Sequence, residues 1–345
     1  MNNSVSYIND SWSELNQLLE ENQYSQLFVL VDSNTHEHCL PLIQAEIKQA
    51  FEIIEIEPGE ASKDLMICQH IWHDLTAKEA DRNTLLINLG GGVVTDLGGY
   101  IAANYKRGID FVNIPTSLLA MVDASSGGKC GINFLGFKNQ LGAFKNPKAC
   151  YIHTEFLKTL APQEVKSGFA EMLKHGLISD ANHWKALLDP SGLNSENIKA
   201  SITIKQEIVK NDPFESGERK KLNFGHTIGH AIESYLNGKE LPISHGFAIS
   251  AGMLAESYIS HKLAYLSLED LNEIQSEIIK RYPFAEINID DFNEIMTLIN
   301  QDKKNEQGAN RFTLLSGIGK SLINIEVSKD LILESLQFYL QAYEA

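Results

Sequence analysis

The sequence predicts an α/β protein in two parts: a Rossmann-like, largely parallel sheet over residues 1–154 and a mainly α-helical region over 155–345. Three observations carry this expectation. Short apolar runs recur in the first part with helix-like stretches between the early ones, the alternation that builds parallel sheets. A glycine triplet, Gly90 to Gly92, sits where one such run turns into a helix. Past Glu155 the apolar residues recur at i, i+3 and i+4, the period of a helix with one buried face.

In order, the predicted strands are LFVLVD ending at Asp32, EIIEIE ending at Glu57, TLLINL before Gly90, DFVNIPT ending at Thr116 and ACYIHT ending at Thr154. The predicted helices of the second part are QEVKSGFAEMLKHGLI, KKLNFGHTIGHAIESYL, GFAISAGMLAESYISHKL and the terminal DLILESLQFYLQAY. No internal repeat or Pro/Gly-rich linker separates the parts, so the boundary rests on the change of period alone.

With 345 residues, 43% hydrophobic and 21% charged, the chain has the composition of a well-cored globule. A net charge of −16 argues against a general binder of nucleic acid or anionic membrane, which needs clustered Lys and Arg. An anionic substrate must therefore meet a local basic pocket. The N-terminal MNNSVSYINDSW has neither a basic nor an apolar segment of the kind that directs secretion, so the expected compartment is the cytoplasm. Cys39, Cys68, Cys130 and Cys150 show no CxxC spacing and read as reduced structural thiols.

Gly90, Gly91 and Gly92 could let a pyrophosphate approach the backbone amides at a helix N-terminus, or could simply make a tight turn. Asp32, closing the first strand, suits an adenosine ribose and would repel a 2′-phosphate, favouring NAD over NADP; a solvated turn residue is the plain alternative. Asp96 suits donors such as a nicotinamide carboxamide, or caps its helix.

His226 and His230 are four apart on one helix and share a face, and His245 precedes another helix. Glu171 lies mid-helix in an apolar stretch with Lys174 nearby, either a structural ion pair or the carboxylate of a Glu/His/His metal set with open positions. Such a set suits a Lewis acid that acidifies a substrate hydroxyl. Arg107, Lys129, Lys138, Lys205 and Arg219 sit in apolar or Gly-rich surroundings and are candidates for anion contacts.

GGGVVTDLGGYIAANYKRG, IPTSLLAMVDASSGGK, FKNQLGAF, SGFAEMLKHG, LNFGHTIGHAIE, SHGFAISAGM and DKKN occur in that order. In these blocks the chain resembles the 3-dehydroquinate synthase family, over most of its length. The resemblance implies the fold of that family, a homodimer, catalytic NAD and a divalent metal, Zn2+ or alternatively Co2+. It implies conversion of 3-deoxy-D-arabino-heptulosonate 7-phosphate to 3-dehydroquinate and phosphate: NAD oxidises and later re-reduces the substrate around phosphate loss, and ring opening and aldol closure follow.

Carried over position by position, Glu171, His226 and His245 would be metal ligands, and His230, Glu215, Lys174 and Lys205 would be catalytic. Asp32, Asn34, Glu60, Lys63, Gly91, Gly92, Val93, Asp96, Thr116, Ser117 and Lys138 would line the NAD site. Asp123, Lys129, Asn139, Arg219, Asn223 and Lys304 would contact substrate, with Arg107 reaching the phosphate of a neighbouring subunit. The chain departs from the family at Phe247, where HGEA is usual, leaving His245 without the glutamate that could orient it. Pro213 also replaces a common acidic residue. The competing expectations are another sugar-phosphate cyclase, of the 2-deoxy-scyllo-inosose or 2-epi-valiolone synthase type, or a polyol dehydrogenase of the glycerol dehydrogenase type.

Overall fold

The computed structural model describes residues 4–8, 11–135, 137–301 and 310–344. Lys304 lies outside the described residues. The chain forms two compact units, Met1–Ala161 and Pro162–Ala345. The short turn of 3-10 helix at Thr154–Lys158 belongs to the first, and the helical period begins in earnest at Pro162.

The first unit runs β1 (Ser4–Tyr7), α1 (Ser13–Asn22), β2 (Gln26–Asp32), α2 (Ser33–His38), β3 (Glu52–Ile56), α3 (Leu65–Ala77), β4 (Thr84–Gly90), α4 (Gly92–Asn104), β5 (Asp110–Pro115), α5 (Leu118–Val122), β6 (Lys129–Phe134), β7 (Phe137–Phe144) and β8 (Ala149–Ile152). Six strands form one sheet in the order β1-β8-β5-β4-β2-β3, every neighbouring pair parallel. β2 and β4 are buried on both faces, which is why they read as unbroken apolar runs. β3 leaves β2 on one side and β4 returns on the other, so the strand order reverses between β2 and β4. Crevices at such reversals, outside the carboxyl ends of the strands, are where this architecture binds ligands. Asp32 ends β2 and Gly90 ends β4, level with each other because Leu30 pairs with Asn88.

Helix α4 packs against this sheet at close range. A Cβ at Gly98 would lie 1.9 Å from Asn88 Oδ1, and one at Gly90 2.5 Å from Val94 Cβ. These glycines are demanded by packing. β1 and the antiparallel β6–β7 ribbon were not among the predicted strands. SVSY is short and polar, and KCGINF and FKNQLGAF mix glycine with polar residues, so neither shows an apolar run.

The second unit contains α6 (Pro162–Ser179), α7 (Ala181–Leu188), α8 (Ser195–Asn211), α9 (His226–Gly238), α10 (His245–Lys262), α11 (Leu268–Arg281), α12 (Phe292–Gln301), an antiparallel pair β9 (Arg311–Leu315) and β10 (Ser321–Glu326), and α13 (Lys329–Glu344). The helix bearing GHTIGHAIE starts at His226, not near Lys220 as the apolar spacing suggests. Gly225, at φ +77°, takes a left-handed conformation that breaks the helical path, and Glu218–Asn223 is a separate 3-10 segment. No described helix is long and apolar enough to cross a membrane.

Candidate functional site

In the first unit the candidate residues gather at the strand reversal. Asp32 caps α2 in a reciprocal capping box with Thr35, whose amide donates to Asp32 Oδ1 at 2.8 Å. Its carboxylate is thereby fixed at the end of β2, half-buried, with Asn34 exposed on α2. Gly91 caps α4, and Gly92 and Val93 follow in its first turn. A Cβ at Gly91 or Gly92 would meet only ordinary contacts, 3.4 Å to Ser117 Oγ and 3.6 Å to Ala124 Cβ. Neither packing nor a left-handed φ explains these two glycines. What they keep clear is the space over the amides that open α4, where an anion is attracted by the helix dipole. Thr116 donates its amide to Gly90 O at 3.1 Å, and Ser117 caps α5 by accepting from the Ala120 amide.

Asp96 would place a negative charge one turn into α4, but Lys63 Nζ donates to its Oδ2 at 2.5 Å and the pair is largely buried. The ion pair removes a charge that would repel a pyrophosphate. Asn133, which the sequence reading did not single out, ties this edge together. It donates from Nδ2 to Glu60 Oε1 at 2.8 Å and from its amide to Lys63 O at 2.8 Å, and its Oδ1 accepts the Asn139 amide at 2.9 Å. Asn139 holds a left-handed φ of +51°. Lys129 and Lys138 are exposed on the ribbon, Asp123 is half-buried after α5, and Arg107 is exposed at φ +68°.

In the second unit, glycine again decides which elements can meet. A Cβ at Gly252 would fall 2.0 Å from Gly225 O, one at Gly229 2.9 Å from Ala248 O, and one at Gly246 2.1 Å from Ser167 O. Helices α6, α9 and α10 therefore approach closely, and α10 is also tied to α6 by the Gly246 amide donating to Ser167 Oγ at 2.9 Å. At their junction the rings of His226, His230 and His245 stand 5.0 to 5.6 Å apart, with ligand nitrogens within 4.8 Å of one another.

Glu171 on α6 has no exposed surface. Its Oε1 lies 3.5 Å from His226 Nε2 and 3.6 Å from His245 Nε2, while Oε2 contacts Lys174 Nζ. Of the two readings of Glu171 left open by the sequence, the ion pair is present at Oε2, while Oε1 faces the imidazoles. Neither oxygen makes a hydrogen bond among the described residues. Burial pushes the Glu171 carboxyl up, but Lys174, His226 and His245 outweigh it and hold the group well below the usual carboxylate range. A buried, ionised carboxylate is costly unless cations compensate it; Lys174 does so at Oε2, and Oε1 is left facing the imidazoles. The donor set, one carboxylate oxygen and imidazole nitrogens with open positions, fits a divalent metal of zinc or cobalt type.

Tautomers favour the same nitrogens. His226 Nδ1 is 3.0 Å from Phe224 O, so it donates there and leaves the Nε2 lone pair toward Glu171. His245 Nδ1 is 3.3 Å from Glu233 Oε2, with the same effect. Burial lowers the His245 pKa, but Glu171 and Glu233 together raise it to about 9, so a metal at Nε2 displaces a proton. Glu233 was missed in the sequence, although its place at i+7 from His226 and i+3 from His230 puts it on their face.

The N-terminus of α9 is held by a residue of α10. Buried Glu256 accepts the Gly225 amide at 2.6 Å and the Ile228 amide at 3.1 Å. Hydrogen bonds to a charged group are worth about 1.5–3 kcal/mol each, so Glu256→Ala is expected to cost about 3 kcal/mol, measured as a lower midpoint in denaturant. An unchanged midpoint would show that the cap is redundant.

Basic and amide groups lie beside this centre in sequence. Lys205 and Arg219 are buried, and Arg219 Nη1 donates to Pro213 O at 2.7 Å. Asp212 fixes that loop. Burial pushes its carboxyl up, but the amides of Gly217, Arg219 and Ser216 hold it down at about 2. Asn223 Nδ2 donates to Glu215 Oε1 at 2.7 Å, with Glu215 at φ +60°.

A parallel α/β unit whose strand order reverses between β2 and β4, followed by a helical unit carrying a carboxylate–imidazole cluster, has the parts of a dinucleotide- and metal-dependent enzyme. Models of the 3-dehydroquinate synthase N-terminal and C-terminal regions match residues 53–167 and 168–305. A 3-dehydroquinate synthase of Parabacteroides distasonis is 44% identical over 97% of this chain and 97% of its own length. The chain belongs to the 3-dehydroquinate synthase family. The fold is also that of a 2-epi-5-epi-valiolone synthase of Streptomyces hygroscopicus subsp. jinggangensis solved with NAD+ and Zn2+, with a TM-score of 0.85, 23% identity and 99% and 97% coverage of the two chains. A 2-deoxy-scyllo-inosose synthase solved with carbaglucose-6-phosphate, NAD+ and Co2+ gives a TM-score of 0.82, 23% identity and 97% and 96% coverage.

Proposed function

We propose that this chain catalyses the 3-dehydroquinate synthase reaction, the second step of the shikimate pathway toward chorismate and the aromatic amino acids. It converts 3-deoxy-D-arabino-heptulosonate 7-phosphate to 3-dehydroquinate with loss of phosphate, and is a lyase because NAD is regenerated each turnover. The observation that carries the reading within the site is Glu171: fully buried, with neither oxygen hydrogen-bonded among the described residues, and facing two imidazole nitrogens and an ammonium.

Glu171, His226 and His245 would hold the divalent metal, Zn2+ or Co2+, and Asp32, Gly91, Gly92 and the residues around them would hold NAD. When bound, the two supply Lewis-acid polarisation of a substrate hydroxyl and a reversible hydride acceptor. Lys174 neutralises part of the Glu171 charge and so tempers the ligand. His230, the most exposed of the three imidazoles, would move a proton near the departing phosphate. Asn223 holds Glu215 in a fixed orientation for proton transfer. Lys205 and Arg219 bind the anionic ends of the substrate. The chain works in the cytoplasm as a homodimer, in which exposed Arg107 serves the phosphate of the neighbouring subunit.

The test is to supply the heptulosonate phosphate with catalytic NAD and follow phosphate and absorbance together. Phosphate release without net NADH is expected; NADH accumulating in step with substrate consumed would point to a polyol dehydrogenase instead. Exhaustive chelation is expected to abolish turnover and added Zn2+ or Co2+ to restore it, whereas full activity after metal removal would overturn the metal assignment.

A further inference from the structure

We propose that Glu233 is the positioning residue that orients His245 toward the metal, and that it makes a glutamate at position 247 unnecessary. The inference rests on the metal centre proposed above. Glu233 is 4% exposed, and its Oε2 lies 3.3 Å from His245 Nδ1. An imidazole that donates its Nδ1 proton to a carboxylate keeps its lone pair on Nε2, the nitrogen that faces Glu171 at 3.6 Å. For His226 the same task falls to the backbone carbonyl of Phe224, which no side-chain substitution removes. For His245 the group that fixes the tautomer is a side chain, Glu233.

Helix α9 therefore contributes twice: His226 as a ligand and, two turns on, the carboxylate that aligns the ligand opening α10. Position 247 is used differently. The Phe247 ring packs edge-on to Tyr282 with centroids 5.7 Å apart, and the Tyr282 hydroxyl donates to Lys166 O at 3.1 Å. Phe247 thus pins the start of α10 to α6 and its approach by packing, while Glu233 supplies the charge. The expectation that His245 lacks an orienting carboxylate is not met.

The experiment is a competitive chelator titration of Zn2+ on the full chain for wild type, Glu233→Ala, Glu233→Gln and Phe247→Glu. Glu233→Ala is expected to weaken Zn2+ binding by about 10- to 100-fold and to alter the visible spectrum of the Co2+ form, with NAD affinity unchanged. Glu233→Gln, which can still accept from Nδ1 but carries no charge, should fall between alanine and wild type. It keeps the test valid if thermal unfolding of the metal-free protein shows that the alanine variant misfolds. Phe247→Glu should bind within about twofold of wild type. Wild-type affinity in both Glu233 variants, or a tightening of about tenfold or more in Phe247→Glu, would overturn the proposal. If wild type itself binds neither metal, the metal centre falls, and the role of Glu233 with it.

Discussion

His226→Ala is expected to reduce phosphate release by about 1000-fold or more, with loss of bound metal measured on the same preparation. The size follows from what the ligand does. A Lewis acid contributes several kcal/mol to a barrier, and each 1.36 kcal/mol is a factor of ten in rate. As a proposed ligand His226 is well fixed, its Nδ1 bonded to Phe224 O and its residue opening a helix capped by Glu256. Removing it leaves Glu171, already paired with Lys174, facing His245 alone, so a divalent metal held by these residues would keep one imidazole and be lost. His230→Ala is the informative partner. His230 Nε2 or Nδ1 lies within the imidazole cluster, but Glu171 Oε1 is paired with His226 and His245. His230→Ala should therefore lower kcat while leaving metal content near wild type. Loss of metal in His230→Ala with retention in His226→Ala would reverse the two roles.

The parts of this arrangement that were legible in the sequence are those governed by period or by a missing side chain. β2, β4 and β5 are buried on both faces and so spell apolar runs, and Gly90 to Gly92 mark the turn into α4. His226 and His230 declared a shared face through their spacing. What was not legible depends on contacts between distant residues. The β6–β7 ribbon pairs Gly131 with Gly142, where a Cβ on Gly131 would lie 2.8 Å from Leu141 O, and glycines chosen for close approach leave no alternation to read. Asn133, Glu233 and Glu256 are polar residues whose importance comes from an amide or imidazole elsewhere in the chain. The early start assigned to α9 followed the apolar spacing of KKLNF. Only the left-handed φ of Gly225 ends that path, and a glycine in a helical pattern does not reveal its φ.

Arg219→Ala is expected to raise KM strongly on the acid substrate and much less on a ketoheptose 7-phosphate lacking the carboxylate. Arg219 is 4% exposed and sits in the 3-10 segment before α9, its amide held by Asp212 Oδ2 at 3.0 Å and its Nη1 by Pro213 O at 2.7 Å. Its backbone and one arm of its fork are therefore positioned before substrate arrives, which reduces the ordering needed on binding. A planar, permanently charged guanidinium can present two parallel donors to a carboxylate, which a lysine ammonium reproduces poorly. Removing one partner of a buried, charge-assisted pair costs about 2–5 kcal/mol, or roughly 30- to several thousand-fold in kcat/KM on the acid substrate. The acceptor that steadies the guanidinium is the backbone carbonyl of residue 213, which is present whatever the side chain there, so Pro213 leaves the fork braced. Arg219→Lys should recover part of the loss on the acid substrate and leave the neutral one unaffected. The check is kcat and KM for wild type and both variants on the two substrates, with unfolding midpoints measured alongside to separate binding from stability. Equal losses on both substrates would make Arg219 structural or phosphate-facing and remove it from recognition of the acid.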